Sequence, residues 1–177
     1  EPFEYAIAAE AGLALNVNGK AWVSLQCLPQ DIEALAAGFL FNEGVIQSRE
    51  EISLLQVCPD GSLVDIWLTH AAERPADWRI TSGCGGGQSA ASIEKQANLP
   101  ALPDCPPLSP DHLLRICDDF LARIQAQRIP GTHASGLYPL PGSSDQSGTI
   151  SVDIGRHNTL DKLAGQCLLA GRPAAGS

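Results

Sequence analysis

Short alternating runs of apolar and polar residues predict β-hairpins in the first part of the chain. Leu13 to Val17 and Lys20 to Leu25 stand on either side of Asn18-Gly19. This dipeptide is favoured in two-residue hairpin turns because both positions accept a positive φ. Ile52 to Cys58 and Leu63 to Leu68 flank a second turn, which is rich in proline and glycine. The pattern therefore predicts two hairpins.

Between the hairpins the apolar positions change from strand spacing to helical spacing, which predicts a helix over Gln30 to Glu43. Pro29 introduces the segment and Asn42-Glu43-Gly44 ends it, as is typical of helix termini. The apolar residues that recur on one face are Ile32, Leu35, Ala36, Phe39 and Leu40.

The second part of the chain predicts a long helix and two short strands. Ser109-Pro110-Asp111 combines a cap, a proline and a first-turn acid, so a helix should begin here and end before Pro130. Strands are predicted within Gly131 to Leu140 and over Thr149 to Val152. The predicted buried stripe of the helix is Leu113, Cys117, Phe120, Leu121 and Ile124.

A last helix is predicted to be capped by Asn158, with Asp161 three residues later as a partial capping box. Its expected apolar face is Leu160, Leu163, Ala164, Cys167 and Leu168. Strands and helices that mix in this way predict an α/β (α+β mixed) layered domain. We expect a hairpin-rich portion over residues 1–80 and a mixed portion over residues 81–177.

Chain length and charge limit the classes of function. A chain of 177 residues is long enough for one domain with a proper core. Its net charge of −9 argues against broad nucleic-acid binding, which needs clustered Lys and Arg, but allows one small phosphate pocket. The sequence has no apolar run of membrane-spanning length and no signal peptide. We therefore expect neither nucleic acid nor membrane as a partner.

The cysteine pattern predicts a reducing, cytoplasmic setting. The chain has six cysteines and four histidines. None of the cysteines forms a Cys-x-x-Cys pair, and most lie in apolar patterns, where free cysteine behaves as a small hydrophobe. The histidines are scattered along the chain, so no metal site is expected.

A candidate reactive cysteine lies in the glycine-rich stretch 81–87. Gly83, Gly85 and Gly86 surround Cys84, and glycine leaves both the backbone and the thiol uncovered. A thiol near cations or a helix start ionises more readily, and the thiolate is the nucleophile. The alternative is a tight turn in which the cysteine only fills space.

A second candidate is His133, which stands among small residues after Thr132. Small neighbours allow close approach by a ligand, and a histidine there can take a proton from a thiol or orient a phosphate. The alternative is a histidine whose nitrogens are satisfied within the core.

The densest polar stretch joins the last strand to the last helix. Arg156 and Lys162 can pair with phosphate at a helix N-terminus, where anions bind. Asn158 and Asp161 can cap the helix or hold the cations. The alternative is a capped helix with a solvated ion-pair cluster. The stretch also contains Asp153 and His157.

These segments resemble the formate dehydrogenase accessory sulfurtransferases of the FdhD/NarQ family. The resemblance rests on the order of four stretches over most of the chain: 29–44, 81–85, 132–134 and 153–165. Such proteins take sulfur from a cysteine desulfurase as a persulfide. They pass it to the molybdenum or tungsten bis-pterin guanine dinucleotide cofactor of formate dehydrogenase. The family fold is similar to that of cytidine deaminases, with a mixed sheet flanked by helices, and its members usually dimerise.

The resemblance implies a role for each candidate residue. Cys84 is the expected persulfide carrier, and His133 is expected to assist by proton transfer or phosphate contact. The resemblance makes the cofactor a transiently bound cargo, with no metal held by the protein itself. The expected cofactor-binding residues are Gly85, Gly86, Thr132, His133, Asp153, Arg156, His157, Asn158, Asp161 and Lys162.

Two departures from the family pattern shape the expectation. Gly87 stands where many members have a second cysteine, so we expect a relay through a single cysteine. The family also continues with further strands and helices beyond the position of Ser177.

An alternative function is a non-catalytic module that binds the guanine nucleotide and docks the cofactor to formate dehydrogenase. A third possibility is a deaminase-like zinc hydrolase, but such enzymes need His-x-Glu and Pro-Cys-x-x-Cys motifs, and this sequence contains neither.

Overall fold

The computed structural model describes residues 7–74, 107–126, 129–141 and 148–172. Its first hairpin joins β1 (Ala11–Val17) to β2 (Lys20–Cys27). The turn residues Asn18 and Gly19 have φ of 49° and 74°, so both occupy the left-handed region that this turn requires. The first predicted hairpin is confirmed.

The second predicted hairpin is also confirmed, as β3 (Ile52–Val57) and β4 (Leu63–Leu68). A four-stranded sheet forms in the order β2-β1-β4-β3, in which β1 runs parallel to β4 and the other neighbours are antiparallel. One face of this sheet supplies much of the core, including Leu13, Leu15 and Ile66, none of which is exposed.

Helix α1 (Ile32–Asn42) packs on the sheet and is buried along most of its length. Such burial requires an almost continuously apolar sequence, which α1 has. The five apolar residues predicted to face the core are all buried. A short 3₁₀ turn, Arg49–Glu51, follows before β3.

The second part of the chain supplies a two-stranded antiparallel sheet and two helices. Strand β5 (His133–Leu137) pairs with β6 (Thr149–Asp153). Helix α2 (Pro110–Ala126) precedes them and begins where predicted, with the His112 N–H donating to the Ser109 hydroxyl at 3.2 Å. Helix α3 (Arg156–Leu169) follows and packs against α1, β5 and β6. The chain is therefore a mixed α/β protein, as predicted.

Helices α1 and α3 touch backbone to backbone. A Cβ atom on Gly38 would collide with the carbonyl oxygen of Asp161, and one on Gly165 would collide with that of Ala34. Glycine at both positions is what allows the helices to approach this closely. The contact attaches α3 to the side of the fold that holds the four-stranded sheet.

The predicted buried stripe of α2 is wrong. Leu113 and Leu121 are 46% and 49% exposed, and Cys117 is also exposed. Of that stripe, Phe120 does meet the described part of the fold, because it lies against Gly136, and the other contacts are made by polar residues near it. Helical periodicity locates an apolar face, but it does not say which neighbours cover it.

The predicted cap of the last helix is also wrong. Gly155 is the N-cap of α3, so Asn158 lies within the first turn. The Asn158 side chain points into the core instead, where it donates to Asp153 and to the carbonyl of Gln26. Asp161 bonds Asn42 of α1 rather than the helix start. Leu163 and Cys167 are buried as predicted, whereas Leu160 is 54% exposed.

No helix within the described ranges is both long and apolar enough to cross a membrane.

Candidate functional site

The predicted site residues fall into three groups by their position in the structure. Cys84, Gly85 and Gly86 lie outside the described residues. Thr132, His133, Arg156 and His157 lie at or near the surface. Asp153, Asn158 and Lys162 are fully buried, and Asp161 is half-buried.

The β5–β6 pairing brings His133 next to Asp153, because the two are register partners at the end of the sheet. His133 is exposed, and Thr132 before it is fixed by its hydroxyl, which donates to the Ile129 carbonyl at 2.7 Å. Two residues separate β6 from the first turn of α3, which presents Arg156 and His157 to solvent. Strand pairing thus places the predicted histidine near the strand-to-helix junction.

The N-cap residue of α3 is Gly155, which has no side chain to cap the amino end of the helix. The first N–H groups of a helix lack intrahelical partners and carry a partial positive charge. With Arg156 in the first turn, this junction has the donor groups that an anion needs. It remains a candidate for the phosphate groups of a ligand.

Beneath the junction lies a buried hydrogen-bond network centred on Asp153. Its carboxylate accepts from Nζ of Lys162 at 2.7 Å and from the backbone N–H of Leu28 at 3.0 Å. It also accepts from the N–H of Gly155 at 2.9 Å and from Nδ2 of Asn158 at 2.8 Å. Four donors satisfy the buried charge, which would otherwise be very unfavourable in the core.

Lys162 is equally well satisfied. Besides the ion pair, its ammonium donates to the carbonyls of Leu28 and Val152, each at 3.2 Å. Neither Lys162 nor Asp153 is exposed at all. In this structure, therefore, the pair holds the segment after β2 against the β6–α3 junction and supports the exposed groups from below. Contact of these two residues with a cofactor stays a prediction.

Two polar features near the network remain distinctive. Oδ1 of Asn158 is buried and has no hydrogen-bond partner among the described residues. Burial raises the pKa of Asp161 to about 6, while the hydrogen bond from Asn42 lowers it and the neighbouring Glu43 raises it. The Asn42 Nδ2 to Asp161 Oδ1 distance is 2.6 Å. Asp161 thus changes charge closer to neutral pH than an ordinary aspartate.

The structure adds three hydroxyl residues that the sequence analysis missed. Ser135 and Ser151 are register partners on β5 and β6, and both bond Thr159 of α3. The Ser135 and Thr159 hydroxyl oxygens are 2.6 Å apart. The sequence signal for them is a pair of serines that face each other across two strands packed against a helix. These bonds fix the angle at which α3 leaves the sheet.

The described cysteines differ in how well they suit sulfur chemistry. Cys27, Cys58, Cys117 and Cys167 all carry free thiols. Burial, followed by the charge of Asp153, raises the pKa of Cys27 to about 11, although Lys162 lowers it. A thiol with such a pKa is protonated at neutral pH and is a poor nucleophile. Cys167 is also buried.

Comparison with known proteins identifies the family. The sequence profile of the FdhD/NarQ family matches residues 8–177, almost the whole chain. The chain belongs to the FdhD/NarQ family. The resemblance inferred from the four sequence stretches is confirmed.

Individual relatives carry the name sulfur carrier protein FdhD. The chain is 30% identical over 168 residues to that of Bacillus pumilus, covering 92% of this chain and 63% of the relative. It is 30% identical over 172 residues to that of Bacillus subtilis, covering 93% and 63%. The chain therefore spans less than two thirds of the length of these relatives.

A solved structure supports the fold. It is the crystal structure of a protein from Desulfotalea psychrophila assigned as a formate dehydrogenase accessory protein. The two folds superpose with a TM-score of 0.68, at 23% sequence identity, over 96% of this chain and 64% of the other. This chain and that accessory protein therefore share a fold.

Proposed function

We propose that this chain acts as a sulfur carrier in the maturation of formate dehydrogenase. Its Cys84 accepts sulfur from a cysteine desulfurase as a persulfide. The protein then delivers this sulfur to the molybdenum bis-pterin guanine dinucleotide cofactor. The observation that carries this proposal is the match, over more than nine tenths of the chain, to relatives named sulfur carrier protein. The finer fold proposal is a cytidine-deaminase-like mixed sheet flanked by helices.

The first chemical step is a thiol–persulfide exchange. The Cys84 thiolate attacks the terminal sulfur of the donor's cysteine persulfide, a new S–S bond forms, and the donor cysteine leaves as a thiolate. No net oxidation occurs, because the sulfur–sulfur bond is exchanged rather than created. His133 would accept the proton of the Cys84 thiol or contact a phosphate of the cargo.

Three of the four described cysteines are poorly suited to carry a persulfide, which supports Cys84; Cys105, like Cys84, lies outside the described residues. Cys27 and Cys167 are buried, and the raised pKa of Cys27 disfavours its thiolate. The Cys58 sulfur is occupied in its own turn, 2.7 Å from the Asp60 carboxylate and 3.0 Å from the Leu63 nitrogen. Cys117 lies exposed in the middle of α2, where its sequence neighbours are not glycines. Free thiols throughout the described residues support the proposed cytoplasmic setting.

The cargo is proposed to bind through its anionic groups at the β6–α3 junction. Arg156, His157 and the first N–H groups of α3 supply donors for the guanine nucleotide phosphates. The buried Asp153–Lys162 pair would keep that junction in place while cargo enters and leaves. Exposed leucines on α2 support the proposed homodimer, since a second copy would cover them.

The sulfur-carrier role is tested by intact-protein mass spectrometry. Wild type, Cys84→Ala and Cys117→Ala are each incubated with a cysteine desulfurase and cysteine. We expect wild type and Cys117→Ala to gain one sulfur atom and Cys84→Ala to gain none. A gain by Cys84→Ala equal to that of wild type would contradict the role of Cys84.

The second candidate function is the non-catalytic cofactor-binding module, favoured by Gly87 at the second cysteine position. It predicts guanine-nucleotide binding that survives Cys84→Ala and weakens in Arg156→Gln, with no sulfur gained by any of the proteins. The mass measurement and a calorimetric titration with guanosine diphosphate therefore separate the two functions.

A further inference from the structure

A polar cavity lies near the end of the β5–β6 sheet opposite the β6–α3 junction, where Tyr138 follows β5 and Gly148 precedes β6. Its volume is about 470 Å³, within the range of roughly 300–1,000 Å³ that small-molecule sites occupy. Among the described residues, one face of α2 supplies most of its wall, and Tyr138 and Gly148 also line it. The polar residues of α2 that line it are His112, Arg115, Asp119 and Arg123.

Two hydrogen bonds hold the part of the wall that Tyr138 and Gly148 form. The Arg123 guanidinium donates to the Gly148 carbonyl at 2.7 Å, and the Tyr138 hydroxyl donates to Asp119 at 2.7 Å. The Tyr138 ring lies directly on Gly148, where any Cβ atom would collide with it. The cavity is therefore shaped by hydrogen bonds and close packing rather than by loosely placed surface side chains.

The charges that face the cavity do not cancel. The only described acid in its lining, Asp119, lies 3.5 Å from Arg123 and accepts a hydrogen bond from the Tyr138 hydroxyl, so its charge is already compensated. Arg115 is not engaged by any described residue through a hydrogen bond or ion pair. Among the described lining residues, the positive charge of one arginine therefore has no negative counterpart, although the net charge of the chain is −9.

His112 adds an unsatisfied ring nitrogen. Its Nε2 is buried and has no hydrogen-bond partner among the described residues. A buried nitrogen without a partner is unfavourable unless a ligand or water supplies one. His112 and Arg115 are three residues apart on α2, so they share one helix face.

We propose that this cavity binds the phosphate group of a small organic molecule. The Arg115 guanidinium offers a planar pair of donors to phosphate oxygens, and Nε2 of His112 donates to a third. Ile116 and the ring of Tyr138 supply apolar surface for the rest of the ligand. Because no residue of this cavity belongs to the junction proposed for the cargo, the inference does not depend on the sulfur-carrier proposal.

The test combines calorimetry with NMR of the histidine rings. Inorganic phosphate, adenosine monophosphate and guanosine monophosphate are titrated into wild type, Arg115→Gln and Arg74→Gln. Arg74 is an exposed arginine outside the cavity, so its replacement removes the same charge. Arg156→Gln is added to identify any nucleotide bound at the β6–α3 junction. The His112 resonance is assigned by its loss in His112→Gln.

We expect saturable binding that shifts the His112 resonance and weakens about tenfold in Arg115→Gln, as for the loss of a charge-assisted hydrogen bond. Arg74→Gln and Arg156→Gln should leave the His112 response unchanged. Tighter binding of a nucleotide than of phosphate would identify a nucleotide ligand, whereas equal binding would identify the phosphate group alone. Absence of saturable binding, a static His112 resonance, or equal weakening in Arg115→Gln and Arg74→Gln would overturn the proposal. Circular dichroism confirms that each variant is folded.

Discussion

Replacing Lys162 with methionine separates a structural role from a ligand-binding one. The ammonium is fully buried, pairs with Asp153 at 2.7 Å and donates to two carbonyls. Lys162→Met would leave the Asp153 carboxylate buried with only neutral donors, and the carbonyls of Leu28 and Val152 would each lose one hydrogen bond. Breaking a buried pair from one side is destabilising by about 3–5 kcal/mol, since the remaining charge stays in the core.

The measurement is urea unfolding of the chain without ligand, followed by the fluorescence of its tryptophans, of which Trp22 is buried. For a slope of about 2 kcal/mol per molar urea, the midpoint should fall by roughly 1.5–2.5 M. Lys20→Met is the matched control, because Lys20 is exposed at the first hairpin. Its effect should stay within about 0.5 kcal/mol.

A double variant sharpens the test. Asp153→Asn with Lys162→Met removes both charges, so its loss should be smaller than the sum of the two single losses. A fall in the midpoint for Lys162→Met no larger than that for Lys20→Met would contradict the structural role of Lys162. Lys162 would then be a residue that the unliganded fold does not need, as a ligand-binding role alone would imply.

Three further predictions follow from other contacts. Gly165→Ala should destabilise by about 1–3 kcal/mol in thermal unfolding, because the collision with Ala34 outweighs the gain of about 1 kcal/mol in helix propensity; an increase in stability would contradict the close helix contact. The pKa of Asp161 is raised in the folded protein, so its contribution to stability is greatest below about pH 4 and is lost as pH rises through about 6. In urea unfolding, the stability of Asp161→Asn relative to wild type should therefore be higher at pH 7 than at pH 4. Equal stability differences at the two pH values would show that Asp161 does not cause this pH dependence. Because burial raises the pKa of Cys27 to about 11, iodoacetamide should alkylate Cys27 far more slowly than the exposed Cys117, and equal rates by peptide mass spectrometry would contradict the burial of Cys27.

Elements set by local signals were predictable from the sequence. Asn18-Gly19 specifies a hairpin turn through the φ values of two adjacent residues, and no distant contact is needed to explain it. Helix α1 was predictable because its apolar residues follow helical spacing and Gly44, with φ of 68°, lies just beyond its end. In both cases the information lies within a few residues of the structure that it determines.

The environment of the polar stretch at 153–162 was not predictable in the same way. A lysine and an aspartate nine residues apart look the same in sequence whether they face solvent or the core. Their burial depends on Leu28, whose backbone N–H and carbonyl bond both of them from the other end of the chain. The cap prediction for Asn158 failed for the same reason, because its amide is used by Gln26 and Asp153.

The pairing of distant segments around Asp153 also constrains how the chain can fold as it is made. Helix α1 is complete in sequence by residue 42, but its outer side is covered by α3, which begins at residue 156. More than a hundred further residues are therefore synthesised before Asp161, which Gly38 contacts, is part of the chain. Contacts of such sequence separation slow folding and leave apolar surface uncovered meanwhile. During synthesis, α1 therefore remains without its α3 cover for this whole interval, in which a chaperone can bind its apolar surface.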